Sequence, residues 1–394
     1  MDMIEKIAVE NFKSHAHTEI SLGRVTALVG PNGCGKTAIL QSIHYLSQLT
    51  DQTVDIVFSQ ERDPSHLLRR GCQSFSLSVG GRQTATPQQK STSIWNVAVT
   101  LAKAQAEATS HPGWSTEVKW QLGDEKSSGV YMHSGQTLLH AQVKPEVMHA
   151  LQPVAYFKAA LKNLSSPSYS EKTLPRVAFD GTGLASAAAY LMTAEPERHQ
   201  VIEEALRNIV PAVKRVRAKP AKVILRERRV FSVNEARVPY DEQREVTGHE
   251  LTFDTIGADG VPAHAMSDGT LLAYGLLTIL YSLSNTQLFL LDDVEQGLHP
   301  LAQRRLINTL KEFAKEQDRQ ILLTTHSPYI VDELDAKNVW VMALDQEGVS
   351  HAKRLSDHPD IERGLSVLTT GEIWGAEGED WVLNDPLPTE TANA

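Results

Sequence analysis

The sequence predicts an α/β fold: a mostly parallel sheet, an antiparallel β portion, and an inserted, mainly helical subdomain. Three observations predict it. Short apolar runs alternate with stretches of helical periodicity near both ends of the chain, the pattern of a parallel sheet covered by helices. The first such run and helix are joined by a glycine-rich loop, "GPNGCGKT" at 30–37. Between about 73 and 145 the text becomes strand-like and is punctuated by Gly, Ser and Pro.

In chain order, residues 4–9 alternate apolar and polar as a half-buried strand does, and 24–29 ("RVTALV") is a short β-branched run ending at Gly30. In 37–49, Ile39, Leu40, Ile43, Leu46 and Leu49 fall at helical spacing. "SFSLSVGG", "SIWNVAVTLA", "TEVKWQLGD" and "GVYMHSG" supply the antiparallel strands. "GLASAAAYLM" and "PERHQVIEEALRNIV" are helical, followed by a basic run and "VFSVNEARVPYDEQREV". After 250 the strand-and-helix order returns. "GTLLAYGLLTILYSL" is an apolar helix, 288–292 a buried strand, "LAQRRLINTLKEFAKEQD" an amphipathic helix, and "ILLTT" and "NVWVMAL" further strands. The expected division is 1–154 for the first part of the main body, 155–246 for the insert, 247–380 for the second part, and 381–394 for a tail.

A net charge of -10 rules out a global basic field, so contact with nucleic acid would need a local patch. Two cysteines, Cys34 and Cys72, are too few for a disulfide framework and suit a reducing compartment. No apolar stretch reaches the roughly 18–20 residues that span a bilayer. The start of the chain alternates like a strand and has no signal-peptide core, so a soluble cytoplasmic protein is expected.

Residues 30–37 satisfy G-x-x-x-x-G-K-[ST] between a strand and a helix. Such a loop lets the backbone N–H groups of Asn32, Gly33, Cys34 and Gly35 curl around phosphates, helped by the helix N-terminus. Lys36 is expected at the β- and γ-phosphates of ATP, and the Thr37 hydroxyl on Mg²⁺. The run Leu288–Leu291 then empties into Asp292 and Asp293, with Glu295 two residues on. In open α/β sheets ligands bind at the carboxyl ends of strands. Asp292 is therefore expected to hold Mg²⁺, directly or through water, and Asp293 to polarise the attacking water. The alternative is that the acids cap the helix starting near Pro300. "ILLTT" runs into His326, which is placed to bond the γ-phosphate or the lytic water.

Taken together, "NFKS" (11–14), "GPNGCGKT", "MSDGT" (266–270), "LLDDVEQGLHP" and "TTHSP" occur in the order seen in ABC-type ATPase heads. The chain resembles the SMC/RecF/OLD-like group of these heads, and among them the small stand-alone AAA-type ATPases of prokaryotic defence and toxin–antitoxin loci. "PAHAMSDGTLLAYGLL" and "TGEIWGAEGEDW" carry the likeness to the latter. The resemblance covers most of the chain, with 60–245 matching only loosely. It implies two protomers that sandwich two ATPs, each bound by one phosphate loop and the opposite signature. Ser267 and Gly269 match that signature's γ-phosphate contacts, while Asp268 stands where transporters have Gly. Lys13 and Ser14 fall where related heads touch the nucleotide. Gln296–His299 fills the loop that signals across the dimer. For the glutamine that would complete the metal site, Gln152 is the better candidate and Gln60 another. Related heads usually carry Glu after the first acid; Asp293 is one methylene shorter. Misplacing a base by about 1 Å can cost 10²-fold in rate. Asp293 as base with slow turnover is the expectation, with Glu295 as the alternative.

Residues 214–229 hold eight Lys/Arg and one Glu, the best local candidate for a nucleic-acid or acidic-protein surface. No aromatic interleaving accompanies them, and a solvated face explains them more simply. The acidic cluster Glu372, Glu377, Glu379 and Asp380 with Trp374 and Trp381 is a candidate for binding a cation or a partner, but a tail that packs its tryptophans on the body and solvates its acids explains it more simply. The roughly fifty residues after "NVWVMAL" are too few for a fused nuclease domain of ordinary size. The expected function is thus an ATP-switched regulatory ATPase that self-associates around ATP and controls a separate effector protein, with no membrane. A RecF-like DNA-repair ATPase is the alternative, and a transporter subunit a weaker third.

Overall fold

The computed structural model describes residues 3–58, 64–83, 93–103, 114–132, 143–151, 154–233 and 236–384. The chain folds into two compact units. The first comprises 1–156, 285–294 and 310–394; the second comprises 157–284 and 295–309.

The first unit is built on two six-stranded sheets. The mostly parallel one runs in the order Ser350–Arg354, Val339–Leu344, Val25–Val29, Gln320–Thr325, Leu288–Leu291, Val154–Phe157. Its three central strands are parallel and buried at every residue. That is why they read as unbroken apolar runs with no alternation. The antiparallel sheet runs His15–Ser21, Met3–Phe12, Ser74–Gln83, Ser93–Lys103, Trp114–Leu122, Glu125–Met132. Here the period of two returns: Trp95, Val97, Val99 and Leu101 point inward and their neighbours outward.

Helix Lys36–Gln48 packs against strands of both sheets, with Ile39, Leu40, Ile43 and Leu46 buried among Leu28, Leu77, Leu290 and Leu322. Each such side chain contributes roughly 2 kcal/mol on burial. Ile43→Ala in this doubly covered helix is expected to cost about 2–5 kcal/mol. The buried Gln320 side chain ties the sheets together: its amide donates to the Ile4 carbonyl (2.8 Å) and its oxygen accepts the Ile4 N–H (2.9 Å). These bonds satisfy backbone groups next to the bulge between Ile4 and Lys6.

The second unit is centred on helix Asp268–Ser282, buried from Gly269 to Leu280. Helices Leu184–Ala194 and Pro196–Ile209 pack against it and against a long antiparallel hairpin, Val213–Val233 with Ala236–Thr255. At about 3.3 Å per residue, 21 residues extend roughly 70 Å. The hairpin base is apolar, with Val213, Val216, Leu251 and Phe253 buried.

Residues 155–246 hold helices Leu184–Ala194 and Pro196–Ile209 and, after them, an entire long strand. The charge run conceals a strand because its apolar residues keep no simple alternation: Val213 and Val216 are buried at the base, while Val223 is half-buried on the face opposite Val216. A division at 246 falls within the return strand, and the second unit continues to 284.

Candidate functional site

The loop after Val25–Val29 depends on its glycines. Gly30 (φ 142), Gly33 (φ 83) and Gly35 (φ 99) all have positive φ, which side chains rarely adopt. Space matters as well. A Cβ on Gly30 would lie 2.2 Å from the Met342 carbonyl oxygen, and one on Gly35 would lie 2.5 Å from His15 Nε2. The loop exposes Asn32 and Gly33 and buries Cys34, whose thiol burial pushes above its usual pKa. Lys36 is 5% exposed, and its ammonium donates to the carbonyls of Gly30 (2.8 Å) and Pro31 (2.9 Å).

The N-terminal motif braces this loop. His15 is fully buried; its Nε2 lies 3.1 Å from the Gly35 carbonyl and its Nδ1 2.8 Å from Thr18 Oγ1. A carbonyl only accepts, so Nε2 carries the proton and Nδ1 accepts from the Thr18 hydroxyl. Burial lowers the His15 pKa to about 4. Ser14 bonds Ser350 through both backbone (2.9 Å) and hydroxyl (2.7 Å). Lys13, at φ 52, donates to Gln41 Oε1 at 2.7 Å.

The acids meet this loop directly. Asp292 is buried, and the Thr37 hydroxyl lies 3.1 Å from both of its oxygens. Thr324 Oγ1 donates to Asp292 Oδ1 at 2.7 Å and accepts the Asp293 N–H at 2.8 Å. The Tyr156 hydroxyl donates to Asp292 Oδ2 at 3.3 Å. Burial, then the Asp292 carboxylate, push the Tyr156 phenol well above its usual pKa. Asp293 stands at φ 55, a conformation Asp tolerates better than most residues. His326 is exposed at the end of Gln320–Thr325, and Ser327 caps the short helix Pro328–Val331. Sequence reasoning missed Tyr156, Thr324, His15 and Ser350. Thr324 alone had a signal, in the polar end of "ILLTT".

The candidates of the second unit form a site of their own. Ser267 caps helix Asp268–Ser282: its hydroxyl lies 2.7 Å from Thr270 Oγ1 and accepts the Thr270 N–H. Asp268 is exposed in the first turn. Gly269 packs against Gly297, and a cavity of about 310 Å³ opens beside them, lined in part by Ser267, Leu298, His299 and Arg305. Glu295 is half-buried, and its carbonyl accepts the Leu298 N–H. Gln152 and Gln60 lie outside the described residues.

Among the described residues no cluster of three His, Cys, Asp or Glu could cage a metal. What the loop offers is one hydroxyl, Thr37, against one carboxylate, Asp292. That donor pair fits Mg²⁺, which favours oxygen, keeps several waters and takes its remaining ligands from phosphates. The acids of 372–380 have structural roles in part. Glu372 completes a capping box with Thr369, and Glu377 lies 3.9 Å from His358, whose ring packs edge-on to Trp381. On the hairpin, three of the basic residues pair with the facing strand: Arg217 with Asp254, Lys219 with Glu250 and Lys222 with Glu245.

Comparison with known proteins decides the family. The model of the family described as "AAA domain, putative AbiEii toxin, Type IV TA system" matches residues 25–332. The chain belongs to this family. Short segments also resemble two named ATPases and one named nuclease. One of 70 residues is 37% identical to the DNA double-strand break repair Rad50 ATPase of Methanopyrus kandleri, covering 18% of this chain and 7% of that protein. Another of 65 residues is 32% identical to the "Retron Ec83 probable ATPase" of Escherichia coli, covering 16% and 12%. A third of 41 residues is 46% identical to the OLD nuclease of Thermus scotoductus, covering 10% and 8%. The matched segments thus span a small part of each curated relative. The fold of this family member is that of SMC heads. It matches an Smc head bound to the C-winged helix domain of ScpA at TM-score 0.54 and 15% identity, over 91% of this chain and 99% of that one. It also matches the Smc head with an extended coiled coil from Pyrococcus furiosus at TM-score 0.54 and 12% identity, over 93% and 100%. The chain is therefore an ABC-type ATPase head of the SMC/OLD group. No helix among the described residues is long and apolar enough to cross a membrane.

Proposed function

We propose that this chain binds ATP with Mg²⁺, hydrolyses it slowly, and uses the bound state to hold or release a separate effector, a nuclease or toxin, in prokaryotic anti-phage defence or a toxin–antitoxin system. The observation that carries the ATP part is the junction of Thr37, Asp292 and Asp293, with the Thr37 hydroxyl 3.1 Å from the Asp292 carboxylate at the mouth of a glycine loop. The family and the retron and OLD relatives support the defence setting.

In this reading the loop N–H groups and the N-terminus of helix Lys36–Gln48 hold the phosphates. Lys36 leaves the carbonyls of Gly30 and Pro31 for the β- and γ-phosphate oxygens. Thr37 and Asp292 would hold Mg²⁺, which would supply neutralisation of developing phosphate charge. Asp293 takes the proton of the attacking water, and His326 bonds the γ-phosphate or that water. Lys13 and Ser14 contact the nucleotide. Ser267 and Gly269 of a second copy close over the γ-phosphate, so ATP holds two copies together. Asp293 is shorter than Glu by roughly one C–C bond, and a displacement of about 1 Å can cost 10²-fold. Slow turnover suits a timer on an assembly better than a motor.

A DNA-repair ATPase is the second reading, favoured by the Rad50-like segment and by the exposed Lys214, Arg215 and Arg226. The cross-strand pairing of Arg217, Lys219 and Lys222 weighs against it, because paired cations release fewer counterions from DNA. Steady-state ATP hydrolysis with and without double-stranded DNA, at low and high salt, separates the two. Slow, Lys36-dependent turnover indifferent to DNA is expected. Strong, salt-sensitive stimulation by DNA would replace the first reading with the second.

A further inference from the structure

Three hydroxyls of described residues hold the Asp292 carboxylate. Thr324 serves Oδ1 at 2.7 Å, Tyr156 serves Oδ2 at 3.3 Å, and Thr37 lies 3.1 Å from both oxygens. The first two come from strands flanking Leu288–Leu291 in the sheet, Gln320–Thr325 and Val154–Phe157. Only Thr37 belongs to the phosphate loop. If its hydroxyl turns to a metal, Thr324 and Tyr156 still anchor the carboxylate, one at each oxygen.

Tyr156 is well placed for that task. Its side chain is 8% exposed, and its ring packs against His44 with centroids 5.1 Å apart. His44 lies seven residues after Thr37, two turns along the same helix and so on the same face. The face of the loop helix that carries Thr37 therefore also carries the ring that backs Tyr156. A phenol is protonated at neutral pH and donates one hydrogen bond in a fixed direction. Ligating carboxylates depend on such outer partners for orientation.

We propose that Tyr156 is a positioning residue for the magnesium carboxylate: its hydroxyl fixes Oδ2 of Asp292, and the His44 ring fixes Tyr156. This rests on the reading of the loop as a Mg·ATP site. The competing explanation is that a buried phenol uses the nearest acceptor and serves packing alone.

The test is binding of a fluorescent, non-hydrolysable ATP analogue to the full chain as Mg²⁺ is titrated. Wild type, Lys36→Ala and Tyr156→Phe are compared, with a melting curve for each. Tyr156→Phe is expected to raise the Mg²⁺ concentration at half-maximal binding about tenfold. Its affinity for the analogue in EDTA should stay at the wild-type value. If wild type and Lys36→Ala bind the analogue equally, the Mg·ATP reading itself fails. If wild-type binding needs Lys36 and Mg²⁺ but Tyr156→Phe shares its Mg²⁺ midpoint, the positioning role is overturned and packing remains. Should Tyr156→Phe not fold, His44→Leu decides: it keeps the hydroxyl, removes the ring behind it, and is expected to shift the midpoint in the same direction by less. An unshifted midpoint there overturns the proposal.

Discussion

Gly269 and Gly297 meet backbone against backbone. A Cβ on Gly269 would come within 2.4 Å of the Gly297 carbonyl oxygen, and one on Gly297 within 2.8 Å of the Gly269 nitrogen. The turn that opens helix Asp268–Ser282 thus rests on the loop that follows the acids in sequence. Gly269→Ala has no flexible neighbour to yield, so it should destabilise by about 1–3 kcal/mol and weaken ATP-dependent self-association. Gly375→Ala is the control, since nothing lies within 4 Å of its Cβ and it sits within helix Thr370–Glu377. There the helix propensity of Ala should stabilise by roughly 0.5–1 kcal/mol. Thermal unfolding of the two variants should move in opposite directions.

Thr324 is the common partner of both acids. Thr324→Val keeps its shape but leaves the Asp293 N–H and one Asp292 oxygen without their shared partner. A lost partner for a buried group costs about 1–3 kcal/mol. Hydrolysis should fall by about 10²-fold as both carboxylates lose alignment, with nucleotide binding less affected. Single-turnover hydrolysis beside equilibrium binding measures the split. Equal losses in both would point to general unfolding.

Asp293→Asn should fold like the parent, because Asn also tolerates positive φ. It should bind ATP, fail to turn it over, and accumulate an ATP-bound assembly visible by size-exclusion chromatography. Asp293→Glu brings the longer acid to a backbone that suits it less, with a cost of about 1 kcal/mol. Wild-type turnover by Asp293→Asn alongside a dead Glu295→Gln would move the base to Glu295.

His15 predicts an acid-labile loop. Its folded pKa is lowered to about 4 by burial, against an ordinary 6.5. In the window between these values the unfolded chain binds the proton and the folded chain does not, so stability falls as pH drops through it. Above 6.5 the stability is fully present; below 4 no more is lost through this residue. The loss is on the order of 3 kcal/mol. His44, also lowered to about 4 by burial, adds in the same direction. Denaturant unfolding at pH 7 and pH 5 should show the drop, and His15→Asn should flatten part of it. An unchanged slope in that variant would remove His15 as its source.

The glycine loop, acid strand and histidine strand were legible because each couples a fully buried run to a polar break. Val25–Val29 ends in Gly30, Leu288–Leu291 in Asp292, and Gln320–Thr325 in His326. Local pattern suffices there. It could not supply Tyr156: nothing in "PVAYF" says that its strand lies beside Leu288–Leu291 in the sheet. His15 escaped for the same reason, since its partner Gly35 is twenty residues away. The hairpin was hidden by composition. Its pairing is set by a register such as Lys222 opposite Thr247 and Glu250 opposite Lys219, which no single window contains.

The hairpin has a further consequence, for solubility. Apart from short pairings near its base, at Thr252, Phe253 and His249, no described strand lies along either side of it. A two-stranded ribbon with open sides is a template on which other chains can stack into fibrils. Lys214, Arg215, Arg217, Lys219, Lys222 and Arg226 on one strand and Arg244, Glu245 and Glu250 on the other make such stacking costly, because an incoming copy meets charge repeatedly along both strands. The basic run that draws attention as a binding surface thus also works as a guard against self-templating, and thinning its charges carries the risk of aggregation whatever the arm touches.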